Sequence, residues 1–506
     1  MPRNTRVPAG QMLATTSLPL SPAGAAPATA ASVPPLRLVA ARSSVMVQRS
    51  TPDELVPLRA GVNLVAGDRP LEIRVTRKNY QDPIVADQLI GRGTRKRTRR
   101  LPAELLDGFS GLKDFIRLTL TDDSGQEVVD RNQTFCPAGS SVRARPDAPP
   151  TSPYPDALPN TPFTLGTIWG LQAGWAIELR MNDIALPDGT YTARVRVNPP
   201  HCAFFDIPSS QAEVTIGVTV RTMENGERPL PHDDGHEQGH THSPAHAQWR
   251  SMAEPTYMAE PESVTRPAAG AGVPAGLRPD LRALPAWGIE VTDPEEPSEE
   301  GGQQLAFSAS VWNAGPSPLV VDGFRRPGTK LMDAYQYFYD GDGEQVGFVH
   351  TGTLEFDERE GHQHWHFTDF ARYRLLKADK QEAVRSGKED FCLTPTDSVD
   401  LTVKGANWKA RSAGLSSACG KVTSLAIRET LDVGWADTYD QSRPGQAFDL
   451  TGLPNGTYYI EITANPEGRL HERSRANNVS LRKVILGGRP GARTVEVPPH
   501  EGIDAP

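Results

Sequence analysis

Cysteine is scarce: four residues in a chain of 506, too few for a disulfide lattice to replace hydrophobic cores at this length. A single small disulfide-held module is excluded, and at roughly 150 residues per domain the length fits two to four domains. Long apolar runs are also missing. No stretch approaches the ~18 residues of a membrane-crossing helix, so no membrane span is expected. Positive charge is not in excess, since 53 Lys and Arg stand against 62 Asp and Glu for a formal net charge of −9. The molecule as a whole is therefore no polyanion binder, and no nucleic-acid partner is expected. Hydrophobic residues make up only 37%, while Gly and Pro number 45 and 46. That balance excludes a helical bundle and favours short strands joined by many turns.

The expected fold class is all-β: two tandem β-sandwich-like domains joined by a flexible His-rich linker. Arg3 and Arg6 precede an Ala/Pro/Ser/Thr-rich stretch in the manner of a signal peptide, but Ser17, Pro19, Ser21 and Pro22 interrupt its apolar region. Residues 1–35 are read as a disordered lead or weak signal segment. Residues 36–220 and 276–490 carry strand patterns such as Leu71-Glu-Ile-Arg-Val75 and Tyr191-Thr-Ala-Arg-Val-Arg-Val197. Between them, 221–275 is a Pro, Gly, Glu and His-rich linker, and 491–506 reads as a disordered tail.

The two structured regions resemble each other. Leu186-Pro-Asp-Gly-Thr-Tyr191 followed by Asn198-Pro199 recurs as Leu453-Pro-Asn-Gly-Thr-Tyr458 followed by Asn465-Pro466. Asp114-Phe115 and Phe135-Cys136 recur as Asp369-Phe370 and Phe391-Cys392, Gly174-Trp-Ala176 as Gly434-Trp-Ala436, and Arg69-Pro-Leu71 as Ser317-Pro-Leu319. Several matches in one order point to a duplicated β domain. Cys136 and Cys202 fall in the first copy, Cys392 and Cys419 in the second. The simplest of the three connectivities is one pair within each copy, which points to an oxidising compartment.

The strongest local signal is Gly361-His-Gln-His-Trp-His-Phe367. On a strand, His362, His364 and His366 share a face, and three imidazoles there suit zinc or copper while leaving a position open. The outer two would sit about 13 Å apart on an ideal strand, so a bend or bulge is expected if all three are to reach one ion.

The segment from Gly361 to Leu375 resembles the copper-binding segment of the lysyl oxidases. Lys388-Glu-Asp-Phe-Cys-Leu393 resembles the family segment whose lysine enters the cofactor. Gly434-Trp-Ala-Asp-Thr-Tyr439, with Pro444-Gly-Gln446 and Asp449 after it, resembles the one carrying the cofactor tyrosine. Asn465-Pro466, Glu472 and Asn477-Asn478 resemble its closing segment. The resemblance spans roughly 277–486 and implies a β-sandwich-like catalytic domain, Cu(II) held by His362, His364 and His366, and lysine tyrosylquinone built from Lys388 and Tyr439. It implies oxidative deamination of peptidyl lysine or other primary amines by molecular oxygen, releasing an aldehyde, hydrogen peroxide and ammonia, in a secreted or extracytoplasmic protein. Asp437 and Asp440 flank the tyrosine as candidate bases. Many relatives carry a further His three residues before the triplet, where this chain has Arg359. The first copy lacks the set: Asp107, Phe109 and Gly111 fall where the histidines would be, Asn132 opposite Lys388 and Leu179 opposite Tyr439.

The alternative is a non-enzymatic copper-binding surface protein, to which linker residues His232, His236, His240, His242 and His246 would contribute. A zinc hydrolase is disfavoured because no Glu sits as in His-Glu-x-x-His sites. Arg92, Arg95, Lys96, Arg97, Arg99 and Arg100 form a basic cluster, read as a solvated loop or an acidic-surface dock. Oligomeric state is open.

Overall fold

Alternating burial dominates the chain. In the strand Leu71–Thr76, Leu71, Ile73 and Val75 turn inward, and in Gly189–Val197 so do Tyr191, Ala193, Val195 and Val197, as strand geometry requires when one face is covered. The computed structural model describes residues 35–55, 58–91, 97–156, 159, 161–223, 272–293, 302–340, 342–359, 363–386, 390–410, 419–441, 446–500 and 502. The expected lead, the linker histidines, Arg92, Arg95, Lys96, His362 and Lys388 lie outside the described residues. The fold is all-β. Among the described residues the one α-helix is the short Pro199–Phe205, opened by proline in its first turn and closed by Asp206 in the left-handed region at φ 55°.

Each half builds three sheets around its own core. In the first, Leu71–Thr76 lies between Gly166–Leu171 and Val85–Ile90. In the second, Leu319–Arg325 lies between Ala426–Leu431 and Leu331–Tyr339. Pairing partners run in parallel through the two halves. Ile73 faces Gln88 as Val321 faces Gln336. Tyr191 faces Asp122 and Val218 as Tyr458 faces Lys377 and Val484. Ala176 faces Val65 and Val142 as Ala436 faces Trp312 and Asp397. Asp114 and Asp369 both adopt positive φ, 49° and 59°. The Tyr191 and Tyr458 hydroxyls each donate to a proline carbonyl four residues back, at 2.8 Å. The second half adds a strand, Trp365–Phe367, on the outer edge of Gln345–Phe356.

Three expectations are corrected. Part of the tail is structured: Ala492–Glu496 pairs with Val479–Arg489, placing alternate side chains of a sequence too polar to read as a strand against a sheet edge. The halves are joined by more than a linker, because residues of both build two shared apolar clusters. Cysteine pairing differs as well. Cys392 bonds Cys419, but Cys136 and Cys202 are both free. Cys136 follows Phe135 as Cys392 follows Phe391, whereas Cys202 belongs to the Pro199–Phe205 helix, its thiol turned to the Val197 carbonyl at 3.4 Å. Burial pushes the Cys136 thiol up to about 12.

Candidate functional site

The Trp365–Phe367 strand is held on both sides. Leu354, Glu355 and Phe356 pair with Phe367, His366 and Trp365. On the other side Phe367 and Phe391 exchange backbone hydrogen bonds at 2.8 and 3.1 Å, and the Trp365 N–H donates to the Cys419 carbonyl at 2.9 Å. The disulfide thus ties together the two segments flanking the histidines. His366 is buried and His364 partly so. Their Nε2 atoms meet at 2.9 Å with the rings nearly perpendicular, 86°. Two nitrogens each about 2.0 Å from one ion, at close to a right angle, would be separated by about 2.8 Å. The pair therefore has the spacing of two adjacent ligands on one metal. No cluster of three or more His, Cys, Asp or Glu donors is gathered among the described residues, His362 lying outside them.

Behind His366 stands Asp357, a residue the sequence pattern did not single out. Its Oδ2 lies 3.6 Å from His366 Nδ1, and its backbone N–H donates to the His364 carbonyl at 3.0 Å. Burial pushes the Asp357 carboxyl up, but hydrogen bonds from the Arg359 side chain and backbone, with the charges of Arg359 and His366, outweigh it and hold the group down at about 2. Arg359 thus serves the histidines through a carboxylate. A carboxylate on the far ring nitrogen fixes the orientation of a ligating imidazole and raises its basicity.

Tyr439 ends the strand Trp435–Tyr439 and is buried. Its hydroxyl accepts the Cys392 N–H at 3.1 Å and lies 3.3 Å from the Cys392 carbonyl, to which it donates. Phe391 meets the ring edge to face at 4.9 Å. A continuous path of backbone hydrogen bonds and covalent links therefore runs from His366 through Phe367, Phe391 and Cys392 to the Tyr439 phenol. Burial pushes the phenol well above its ordinary range, with Asp437, Tyr373 and Glu429 adding to the effect. Of the two flanking aspartates, Asp437 is buried on the same strand face as Tyr439, while Asp440 is half-exposed.

Glu429 was not legible in advance. It sits on Ala426–Leu431, fully buried, with Oε2 accepting the Leu393 N–H at 3.1 Å. Burial pushes its carboxyl well above the usual range, and Asp437 adds to this. A carboxyl on a core-facing strand position is costly unless it is hydrogen-bonded or neutral. A separate cleft of about 970 Å³ opens in the first half, between Lys113, Asn132, Asn198, His201 and Phe204. No candidate site residue lines it.

The histidine pair and the buried, backbone-clamped phenol both lie within residues 349–492, which the lysyl oxidase family model matches. Through this region the chain is similar to the lysyl oxidases. It is 31% identical over 120 residues to protein-lysine 6-oxidase of Sus scrofa, covering 23% of this chain and 42% of that protein. The Homo sapiens protein-lysine 6-oxidase matches at the same identity over 25% of its length, and Homo sapiens lysyl oxidase homolog 1 is 28% identical over 130 residues, 25% of this chain and 20% of that protein. The chain spans less than half the length of these curated relatives.

Proposed function

We propose that the chain is a copper- and quinone-dependent amine oxidase of lysyl oxidase type, acting on peptidyl lysine or another primary amine. The observation that carries the reading is the coupling of the histidine pair to the Tyr439 phenol through one ladder, Phe367 with Phe391 and Cys392 with Tyr439. His364 and His366, with His362, would hold Cu(II), and Lys388 with Tyr439 would form lysine tyrosylquinone. Together these groups would supply aerobic oxidation of the amine to an aldehyde, with release of hydrogen peroxide and ammonia.

The chain's own residues supply positioning and proton handling. Asp357 orients the His366 ring. The Cys392 amide and carbonyl clamp the phenol oxygen and limit ring rotation. Phe391 packs on the ring, with Tyr373 and then Phe307 packed edge to face behind it. Asp437, buried on the Tyr439 face, is placed to receive a proton, and Glu429 is placed to hold one. The Cys392–Cys419 bond supports an extracytoplasmic location. The parallel strand registers support reading the first half as a second copy of the same domain, one that has lost the histidines, lysine and tyrosine.

Aerobic expression with copper, followed by peptide mapping, tests the reading. The expected result is a covalent link between the peptides of Lys388 and Tyr439 together with quinone staining. A copper-loaded sample yielding two unmodified peptides overturns the enzyme reading and leaves a non-enzymatic copper binder.

A further inference from the structure

We infer that the first half is a working part of the Tyr439 site: Leu165 and Gly166, at the head of its strand Gly166–Leu171, bridge to the segment that edges the tyrosine's sheet and keep the Tyr439 strand in register. The link to cofactor formation rests on the functional reading above; the mechanical claim does not.

The connection runs through residues 396–401. On one side this segment is bonded to the Tyr439 strand. Val399 and Asp400 donate to the Gly434 carbonyl at 2.9 and 3.1 Å, Thr396 donates to the Ala436 carbonyl at 2.9 Å, and the Thr438 N–H donates to the Thr396 hydroxyl at 2.9 Å. On its other side it is bonded to the first half. The Val399 carbonyl accepts from Leu165 and Gly166 at 2.7 and 3.2 Å, the Leu401 N–H donates to the Gly166 carbonyl at 3.0 Å, and the Thr164 hydroxyl is shared between the Thr161 carbonyl at 3.0 Å and the Ser398 carbonyl at 3.4 Å. One short segment is therefore the rung between a strand of each half. Without the first half its outer groups would face water, as on any unpaired sheet edge.

Packing reinforces the ladder. Phe163 and Leu165 from the first half join Trp312, Val399 and Ala436, and Ile168 joins Leu401 and Trp435. Tyr154 stacks on Trp408 at 6.0 Å. Fit at the seam is tight enough to demand glycine on both sides of Asp400. A Cβ at Gly166 would lie 2.2 Å from Asp400 Oδ1 and 2.7 Å from Thr402 Oγ1, and one at Gly434 would lie 2.5 Å from the Asp400 carbonyl oxygen. His366 belongs to a different sheet, headed by Trp365–Phe367. Loosening the seam should therefore disturb the tyrosine and spare the metal.

The test uses the full chain carrying Gly166→Ala, the milder Thr164→Val, and Gly166→Ala combined with Asp400→Ala and Thr402→Ala, which removes both oxygens the new methyl meets. Amide hydrogen exchange is followed by peptide, beside copper content and the yield of the Lys388–Tyr439 link. For Gly166→Ala the expectation is roughly ten-fold faster exchange in 435–439, with 479–489 unchanged, wild-type copper and a several-fold lower link yield. Thr164→Val should show a smaller shift of the same kind, which keeps the test readable if Gly166→Ala does not fold, and the triple variant should recover. Exchange in 435–439 that stays at the wild-type level while 165–171 loosens overturns the inference. So does an unchanged link yield in a loosened strand. Absence of the link in copper-loaded wild type overturns the functional reading alone, since exchange reports on the seam without a cofactor.

Discussion

Positions that pair alike in the two halves hold opposite chemistry. Where the second half has Asp437, Tyr439, Glu429 and Tyr373, the first has Ile177, Leu179, Trp169 and Leu118, all buried. The first half therefore folds with buried, non-ionisable side chains at the positions of matching register. Burying two carboxyls and two phenols against that alternative is unfavourable by several kcal/mol before hydrogen bonding. The difference agrees with the proposed function, in which the polar set serves chemistry. Among the described residues the second half also carries two features without a counterpart in the first, the Trp365–Phe367 strand and the disulfide that pins it.

The contrast can be broken most completely at Tyr439. Tyr439→Leu makes the position like Leu179 and should abolish amine-dependent peroxide formation, while copper measured by metal analysis stays near wild type. Loss of copper in this variant would instead make the phenol a ligand. Next in size is the disulfide. Cys392→Ser opens a bridge spanning 27 residues and should lower unfolding free energy by about 3–4 kcal/mol in chemical denaturation, whereas Cys136→Ser at the like position of the first half should change it by less than ~1 kcal/mol. Asp357→Asn removes the carboxylate behind His366 and should weaken copper binding by about 10–100-fold in competition titration; wild-type affinity would deny Asp357 its role.

The smallest effect concerns pH. Glu429 has a folded pKa raised above its unfolded value, so the folded state binds the proton more tightly. Its contribution to stability is fully present below the unfolded value of ~4.3 and is lost as pH rises from there through the folded pKa. Glu429→Gln should remove that part of the decline, giving a flatter plot of melting temperature against pH on the alkaline side of 4.3. Curves that fall in parallel would show that the carboxyl does not titrate in this window.

Strand periodicity and turn motifs were legible because they are local. Leu71–Thr76 and Gly189–Val197 stand where alternation placed them, and His364, His366 and Tyr439 fall on one connected assembly. Asp357 and Glu429 were not legible. Asp357 reaches His366 only because residues 345–356 fold back on 365–367, and Glu429 enters the core only through the register of Ala426–Leu431 against Leu319–Arg325. No spacing in the sequence encodes either contact. Cys202 misled for the same reason: its nearest acceptor is a backbone carbonyl on its own turn, and proximity in the chain said nothing about where Cys136 points. The strand Ala492–Glu496 escaped notice because an edge strand with a solvated face needs little hydrophobic content.

Asp400, held between Gly166 and Gly434, makes the two halves a single unit for recombination. A chimera that exchanged either half for one bearing a side chain at the facing position would place a methyl group inside a carboxylate or a carbonyl. Any workable crossover must bring both glycines and the 396–401 rung from one parent, so domain shuffling in this molecule is constrained by a seam lying far from the linker in sequence.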